Sequence, residues 1–193
     1  MTKNRKTVSY SERFNFGAAT FKVNVTKRSG IYKEMMQRIV EQLSIAMALH
    51  KRLFVVRFDL HSHAFDPGFN NERVSLFRKA IIQWIERNYS TKGVGFVWAR
   101  EQERSKHQHY HLALFIDGDK VRHSKKILEA IKEKWELGDP DNHMPVIPKP
   151  YHFIDNDEAF ADAVYRLSYL AKERGKGYRP DQAKDYSTSR LKE

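Results

Sequence analysis

The 193-residue chain contains no cysteine, which excludes a disulfide framework and any metal site built on thiolates. No stretch approaches the roughly 20 apolar residues that a membrane-spanning helix needs. The first residues, MTKNRKTVSYSERF, lack the apolar core of a signal peptide. These absences predict a soluble protein of the reducing cytoplasm with no membrane partner.

Acidic residues are scarce relative to basic ones. The chain has 24 Asp and Glu against 35 Lys and Arg, which gives a formal net charge of +11 at pH 7. This excess predicts a polyanionic partner, most commonly nucleic acid, although a role in solubility alone is the alternative. Hydrophobic residues make up 40% of the chain, so it can bury a core, and its length fits one domain with a modest extension.

The spacing of apolar residues predicts an α+β fold, with a basic arm and accessory helix in residues 1–50 and a core in residues 51–193. Helical spacing occurs in residues 31–50, 72–88, 124–137 and about 157–173, and strand patterns occur in residues 53–61, 94–101, 107–117 and 146–154. From residue 53 the order is β-α-β-β-α-β, as in a ferredoxin-like or RRM-like core with a central antiparallel sheet. We expect its helices to cover one sheet face and polar residues of the first and third strands to emerge on the other.

The densest chemical signal is the run HQHYHLALFID at residues 107–117, which holds three of the nine histidines at alternate positions. Because side chains alternate faces along a strand, His107, His109 and His111 share one face. The residues between and beyond them form a continuous apolar face: Tyr110, Leu112, Leu114 and Ile116. Two imidazoles roughly 7 Å apart on one face can chelate a divalent metal ion. The alternative is a polar sheet face that happens to carry histidines.

Two carboxylates, Glu101 and Glu103, precede the histidine strand. In a hairpin, Glu101 can lie opposite the histidines, with Glu103 behind it. Two imidazoles and one carboxylate leave coordination positions open for water and a substrate oxygen, and Mn²⁺ or Mg²⁺ would suit a phosphate substrate. Alternatively, both glutamates only balance Arg100 and Arg104 on a solvated turn.

The last predicted helix carries Tyr165, Tyr169 and Lys172 at spacing i, i+4, i+7, which places them on one stripe. A lysine one turn from a tyrosine favours the phenolate and can neutralise a phosphate. This pairing favours a chemical role for Tyr169. Both tyrosines could instead bury their rings at the edge of the core and leave their hydroxyls in water.

Together these segments resemble the HUH endonucleases, which include rolling-circle replication initiators, relaxases and some transposases. LFVVRFDLH is similar to the first, strand-forming motif of that family, WAREQERSKHQHYHLALFIDGD to its metal motif, and YRLSYLAK to its nucleophile motif. The pattern is most similar to the replication proteins of filamentous phages and prophages, the YagK/YfjJ-like proteins. The segments that carry this similarity are Trp98-Ala-Arg-Glu101, His109-Tyr-His111 and Ser168-Tyr-Leu-Ala-Lys172.

The resemblance implies a metal-dependent enzyme that nicks and rejoins single-stranded DNA. It makes His109 and His111 the ligand pair and Tyr169 the nucleophile that keeps a 5′-phosphate as a covalent phosphotyrosine. We expect Glu101 to be the third ligand of a Mn²⁺ or Mg²⁺ ion and Lys172 to offset charge near the phosphate. Two-tyrosine initiators have a lysine where this chain has Ser168, so Tyr165 is only a possible second nucleophile.

Supporting residues and partners follow from the same resemblance. His107, Glu103, Arg57 and Asp59 are candidates for supporting the site or contacting DNA. We expect the basic arm and tail to contact the DNA backbone through Lys3, Arg5, Lys6, Arg174, Lys176, Arg179 and Arg190. The substrate would be single-stranded DNA or an origin hairpin of a phage, prophage or plasmid. Because no GxxxxGK[ST] phosphate loop occurs, replication would depend on a host helicase and polymerase.

Two further interpretations stay open at the level of sequence. A transposase or relaxase would use the same chemistry on a different substrate. A non-catalytic nucleic-acid-binding module on an RRM-like fold would need aromatic residues on the exposed face of the central strands. The sequence places histidines there, with Phe115 as the only aromatic. The basic charge gives no support to a two-His-one-carboxylate iron oxygenase.

Overall fold

A computed structural model describes residues 6–62, 71–102, 108–137, 139–177 and 183–192. These residues form a mixed α+β structure with a central antiparallel sheet. The helices are α1 (Lys33–Leu49), α2 (Glu72–Tyr89), α3 (Lys125–Glu136), α4 (Asp157–Leu167) and a short 3₁₀ helix (Ser168–Ala171). The strands are β1 (Val8–Ser9), β2 (Arg13–Phe16), β3 (Ala19–Lys22), β4 (Ile31–Tyr32), β5 (Leu53–Ser62), β6 (Gly95–Glu101), β7 (Gln108–Asp117), β8 (Asn142–His143), β9 (Tyr151–Ile154) and β10 (Tyr186–Thr188). No helix in these ranges is both long and apolar enough to cross a membrane.

The central sheet is built around β5 and β7, which pair along their full ten-residue lengths. The strand order is β10-β6-β7-β5-β8, and β9 also pairs with β5. The start of β5 pairs with β9 and its end pairs with β8, so two short strands share this edge of β5. The remaining strands form two small antiparallel pairs, β1 with β4 and β2 with β3.

Helices cover both faces of the sheet, whereas the sequence pattern predicted helices on one face only. On one face α2 and α3 pack against Phe54, Leu112 and Leu114, as predicted for the apolar side of the histidine strand. On the other face α1, α4 and the 3₁₀ helix pack against Val55 and Phe115. The reason is that the start of β5 and the end of β7 are apolar on both sides, and a sheet surface of this kind needs a cover on each side. Polar residues of β5 and β7 therefore emerge on the second face only at the end that α1 and α4 leave uncovered.

The predicted final helix of residues 157–173 is shorter in the structure. The α-helix ends at Leu167, a 3₁₀ turn follows, and the chain is extended at Lys172. The hydroxyl of Ser168 donates to the carbonyl of Tyr165 (2.6 Å) and accepts from the backbone N–H of Asn24 (2.8 Å). A serine hydroxyl that bonds the backbone of the preceding turn competes with regular helix geometry. Because a 3₁₀ turn has three residues and not 3.6, Tyr165, Tyr169 and Lys172 do not share one helical stripe.

Candidate active site

Sheet register aligns four ligand-type side chains in one row across four strands. Glu101 of β6 pairs with His109 of β7, His109 pairs with His61 of β5, and His61 pairs with His143 of β8. Directly opposed residues on neighbouring antiparallel strands point to the same face, with Cβ atoms about 5 Å apart. The rings of His61 and His109 stack with centroids 3.9 Å apart and planes 9° apart. This row lies at the sheet end that α1 and α4 leave uncovered.

His111 is the buried centre of the next row. Its Nδ1 lies 2.9 Å from Asp59 Oδ1 and its Nε2 lies 3.1 Å from Glu101 Oε2. Nδ1 is fully buried, and its contact with Asp59 is an ion pair and not an aligned hydrogen bond. Burial alone would lower the pKa of His111, but the adjoining carboxylates of Asp59 and Glu101 outweigh burial and raise this pKa above its usual value. The imidazole thus sits between two carboxylates that hold it in one orientation.

The carboxylate of Glu101 is held between His111 and a buried lysine, Lys176. The Lys176 side chain is 0% exposed, and its Nζ donates to Glu101 Oε1 (2.9 Å) and to the carbonyl of Lys172 (2.7 Å). Burial opposes ionisation of Glu101, but His111 and Lys176 outweigh it and lower the pKa of Glu101 to about 2. Burial also lowers the pKa of Lys176, and the charge of Glu101 only partly offsets that effect. Lys176 was predicted to contact the DNA backbone, and the structure instead buries it behind Glu101.

Tyr169 packs against the histidine face through the 3₁₀ turn. Its ring lies edge-on to the ring of His111, with centroids 5.4 Å apart, and Arg57 Cζ lies 4.5 Å from the centre of the Tyr169 ring. Arg57 also pairs with Asp59 at 3.3 Å, and Lys172 Nζ lies 5.4 Å from the Tyr169 ring centre. Burial, and then the charge of Glu101, raise the pKa of Tyr169, so the resting group is a neutral phenol. Arg57 and Lys172 are the cations nearest its ring among these contacts.

A cleft of about 390 Å³ opens beside Tyr169. It is lined by Thr26, Arg28, Ser29, Glu101, Tyr169, Lys172 and Arg174. Its walls therefore carry one carboxylate, one phenol and three cations. The carboxylate already has His111 and Lys176 as partners, so the cleft presents a net excess of positive charge to an anionic group.

The other predicted residues lie elsewhere. Tyr165 is 38% exposed, lies near Lys22 Nζ (5.9 Å from the ring centre) and does not line the cleft. Arg190 lines a separate cavity of about 540 Å³ beside α1 and β10. Lys6 pairs with Asp185. Outside the described residues lie Lys3, Arg5, Glu103, His107 and Arg179.

The donor set matches a divalent metal ion in residue type and register. His111 Nε2 and Glu101 Oε2 lie 3.1 Å apart and are in direct contact with each other, so this contact would have to open for both atoms to bind an ion. His109 lies on the same face, but its ring stacks flat on His61. Within the described ranges, no three His, Asp or Glu side chains already converge on one point. His109 would have to leave that stack to join His111 and Glu101.

Sequence patterns gave His61 and His143 no role in this site and assigned Lys176 to the basic tail. His61 shares the strand parity of Arg57 and Asp59, so the alternation of β5 could have identified it. His143 and Lys176 carry no such signal, because β8 has only two residues and Lys176 sits in a basic segment that looks solvated. Their positions depend on contacts between parts of the chain that are far apart in sequence.

Comparison with known proteins identifies the family of the chain. No curated protein and no solved structure matches the chain. A family model described as the YagK/YfjJ C-terminal domain matches residues 16–138. The match includes β5, β6 and β7 with Asp59, Glu101, His109 and His111, and it ends before Tyr169. Because the matched region exceeds half of its length, the chain belongs to the YagK/YfjJ C-terminal domain family.

Proposed function

We propose that the protein is a metal-dependent HUH endonuclease that nicks and rejoins single-stranded DNA through Tyr169 and initiates rolling-circle replication of a phage, prophage or plasmid. The observation that carries this proposal is the contact between the rings of Tyr169 and His111 beside a cationic cleft. A nucleophile, metal-ligand side chains and phosphate-binding cations are the three parts that the reaction requires.

The sheet supports the finer assignment of the fold. Within the central sheet the strands that follow residue 53 lie in the order β9-β5-β7-β6, with α2 and α3 on one face. This order supports the proposal of a ferredoxin-like βαββαβ core. The histidine pair then occupies a central strand of that core, where its orientation is most restricted.

The proposed reaction is a transesterification at phosphorus. The Tyr169 oxygen forms a bond to phosphorus as the bond to the 3′-oxygen breaks, and the phenol proton is replaced by one on the released 3′-hydroxyl. The 5′-phosphate stays on Tyr169, so attack by a 3′-hydroxyl reverses the step without ATP. His109, His111 and Glu101 would hold a Mn²⁺ or Mg²⁺ ion, which supplies Lewis acidity toward the phosphate. Arg57 would stabilise charge that develops on the Tyr169 oxygen.

The base-stacking alternative receives no support from the arrangement of the sheet. The face that an RRM-like module would present to bases is covered by α1 and α4, and Phe115 is 0% exposed. A relaxase or transposase would use the same catalytic residues. The site residues therefore do not distinguish these enzymes from a replication initiator, and the DNA substrate would. Host helicase and polymerase remain the proposed partners of a replication initiator.

The test is formation of a covalent adduct between the protein and DNA. A pool of labelled single-stranded oligonucleotides is incubated with Mn²⁺ and the protein, and the products are separated on a denaturing protein gel. We expect wild type and Tyr165→Phe to form the adduct, because Tyr165 lies outside the cleft. Tyr169→Phe and the double variant His109→Ala/His111→Ala should form none.

Two results would contradict the proposal. An adduct that persists in Tyr169→Phe and disappears in Tyr165→Phe would overturn the assignment of the nucleophile. Absence of an adduct from wild type with varied pools, together with tight binding that is independent of metal and unaffected by every substitution, would overturn the enzymatic function.

A further inference from the structure

A tight turn from the N-terminal region forms one wall of the cleft beside Tyr169. We call residues Thr26–Ser29 the 26–29 turn. Thr26 and Ser29 exchange two backbone hydrogen bonds, of 3.0 and 3.1 Å, so Lys27 and Arg28 occupy its tip. Both tip residues are exposed, but only Arg28 lines the cleft. The turn thus directs one of two neighbouring cations toward the nucleophile.

Residues on both sides of the 26–29 turn form hydrogen bonds with the segment that carries Tyr169. On one side the backbone of Asn24 donates to Ser168 Oγ. On the other side the backbones of Gly30 and Glu173 are joined by a hydrogen bond of 3.0 Å, and Glu173 Oε1 accepts a second one from the Gly30 N–H. A side chain at Gly30 has no space, since an added Cβ would lie 2.8 Å from the carbonyl oxygen of Ser9. Contacts on both sides therefore fix the distance between the turn and the nucleophile.

Donor groups outnumber acceptors on this wall. Arg28 and Arg174 both line the cleft, and neither is among the proposed metal ligands. Ser29 is 8% exposed, and its hydroxyl has no hydrogen-bond partner in the part of the chain that is described. Guanidinium and hydroxyl donors match the oxygens of a phosphodiester, and arginine can bind them in a bidentate way.

We propose that Arg28, together with Ser29 and Arg174, forms a subsite for a phosphodiester group of the DNA strand next to the bond that Tyr169 attacks. The inference rests on the proposed function, because it assumes that a single strand lies in the cleft. It makes the 26–29 turn part of substrate binding, although this turn lies outside the βαββαβ core. A strand held at the subsite is restrained at a phosphate adjacent to the reacting one, which orients the reacting group.

The test uses a matched pair of variants to distinguish the loss of a cation inside the cleft from the loss of a cation outside it. Arg28→Ala and Lys27→Ala each remove one exposed cation from the same turn, but only the first removes a cleft residue. Both are made in the Tyr169→Phe background. Binding of a labelled random-sequence single-stranded oligonucleotide is measured by fluorescence anisotropy at several salt concentrations, with a chelator present. Each lost phosphate contact on a single strand lowers the slope of log affinity against log salt by about 0.7.

We expect Arg28→Ala to reduce this slope by about 0.7 and Lys27→Ala to leave it unchanged. An equal reduction in both variants would overturn the subsite in favour of diffuse charge, and an unchanged slope in Arg28→Ala would overturn it directly. The circular dichroism and melting temperature of both variants should match the parent, since each residue is exposed. The measurement needs no cleavage. If no adduct forms but the salt slope falls only in Arg28→Ala, nicking is overturned and the subsite is not. If an adduct forms but the slope does not fall in Arg28→Ala, the subsite is overturned and nicking is not.

Discussion

Replacement of Lys176 by methionine tests how much the candidate site depends on the buried lysine. Methionine is close in length to the lysine stem and cannot donate to Glu101 or to the carbonyl of Lys172. In the native structure the Lys176 ammonium is fully buried and makes both of these bonds. The substitution would leave the Glu101 carboxylate with His111 as its remaining charged partner.

The expected loss of stability follows from the cost of an uncompensated buried charge. Removal of one partner from a buried ion pair costs about 3–5 kcal/mol. Because Glu101 retains its contact with His111, we expect a value near the lower end, about 3 kcal/mol. A chain of this size loses about 2–4 °C of melting temperature per kcal/mol, so Lys176→Met should melt roughly 6–12 °C lower.

The assay is urea unfolding of the metal-free protein, followed by circular dichroism and tryptophan fluorescence. Lys125→Met is the matched control, since Lys125 forms an exposed i,i+4 pair with Glu129 at 3.9 Å. Exposed pairs of this kind contribute about 0.3–0.5 kcal/mol. A second control, Glu101→Gln combined with Lys176→Met, removes both charges and should be less destabilised than Lys176→Met alone.

Either of two results would refute this account of Lys176. If Lys176→Met unfolds at the same urea concentration as Lys125→Met, the buried ammonium does not support Glu101. If the stability lost by the double variant equals the sum of the losses of Lys176→Met and of a third variant, Glu101→Gln alone, the two side chains are not coupled, and their contact is incidental to stability.

Two further predictions concern a glycine and a histidine near the sheet. Gly175 and Gly93 both have positive φ angles, +72° and +70°, so alanine at either should cost about 1–2 kcal/mol in urea unfolding. Only at Gly175 would the new Cβ meet Glu101, at 3.2 Å from its Cβ, so only Gly175→Ala should lower adduct yield at limiting Mn²⁺. Burial, with the charge of Arg166, lowers the pKa of His152 to about 4, so the unfolded chain binds a proton that the native state rejects. The free energy of unfolding should therefore fall as pH decreases from about 6.5 toward 4. His152→Gln should reduce this fall by up to about 3 kcal/mol, measured by urea unfolding at pH values across that range.

Local periodicity was sufficient to predict the strand that carries the histidines. The alternation in β7 places His109 and His111 on one face and Tyr110 and Leu112 on the other, and the structure has this arrangement. The helical spacing of α2 and α3 also predicts their positions closely. These features depend only on repeats within one element, which the sequence displays directly.

Contacts between distant segments explain what the patterns missed. The end of α4 depends on Ser168, whose hydroxyl is bonded to Asn24 across 144 positions of the chain. The burial of Lys176 depends on Gly175, where positive φ turns the chain against Glu101. Neither serine nor lysine is unusual in its local context, so composition and spacing cannot separate these residues from solvated ones.

The buried charges of the site are better explained by a chemical role than by a contribution to the stability of the fold. Asp59, Glu101, His111 and Lys176 are all largely buried, and burial opposes the charged form of each. An apolar cluster of the same volume is often at least as stable, since the desolvation of paired charges can cancel their attraction. The second sheet face is apolar wherever α1 and α4 cover it, and the charges begin where that cover ends. Glu101 lines the cleft next to Tyr169, a phenol with a raised pKa, and the other three charges lie behind it, which is the arrangement expected if the site holds the proposed metal ion and phosphate.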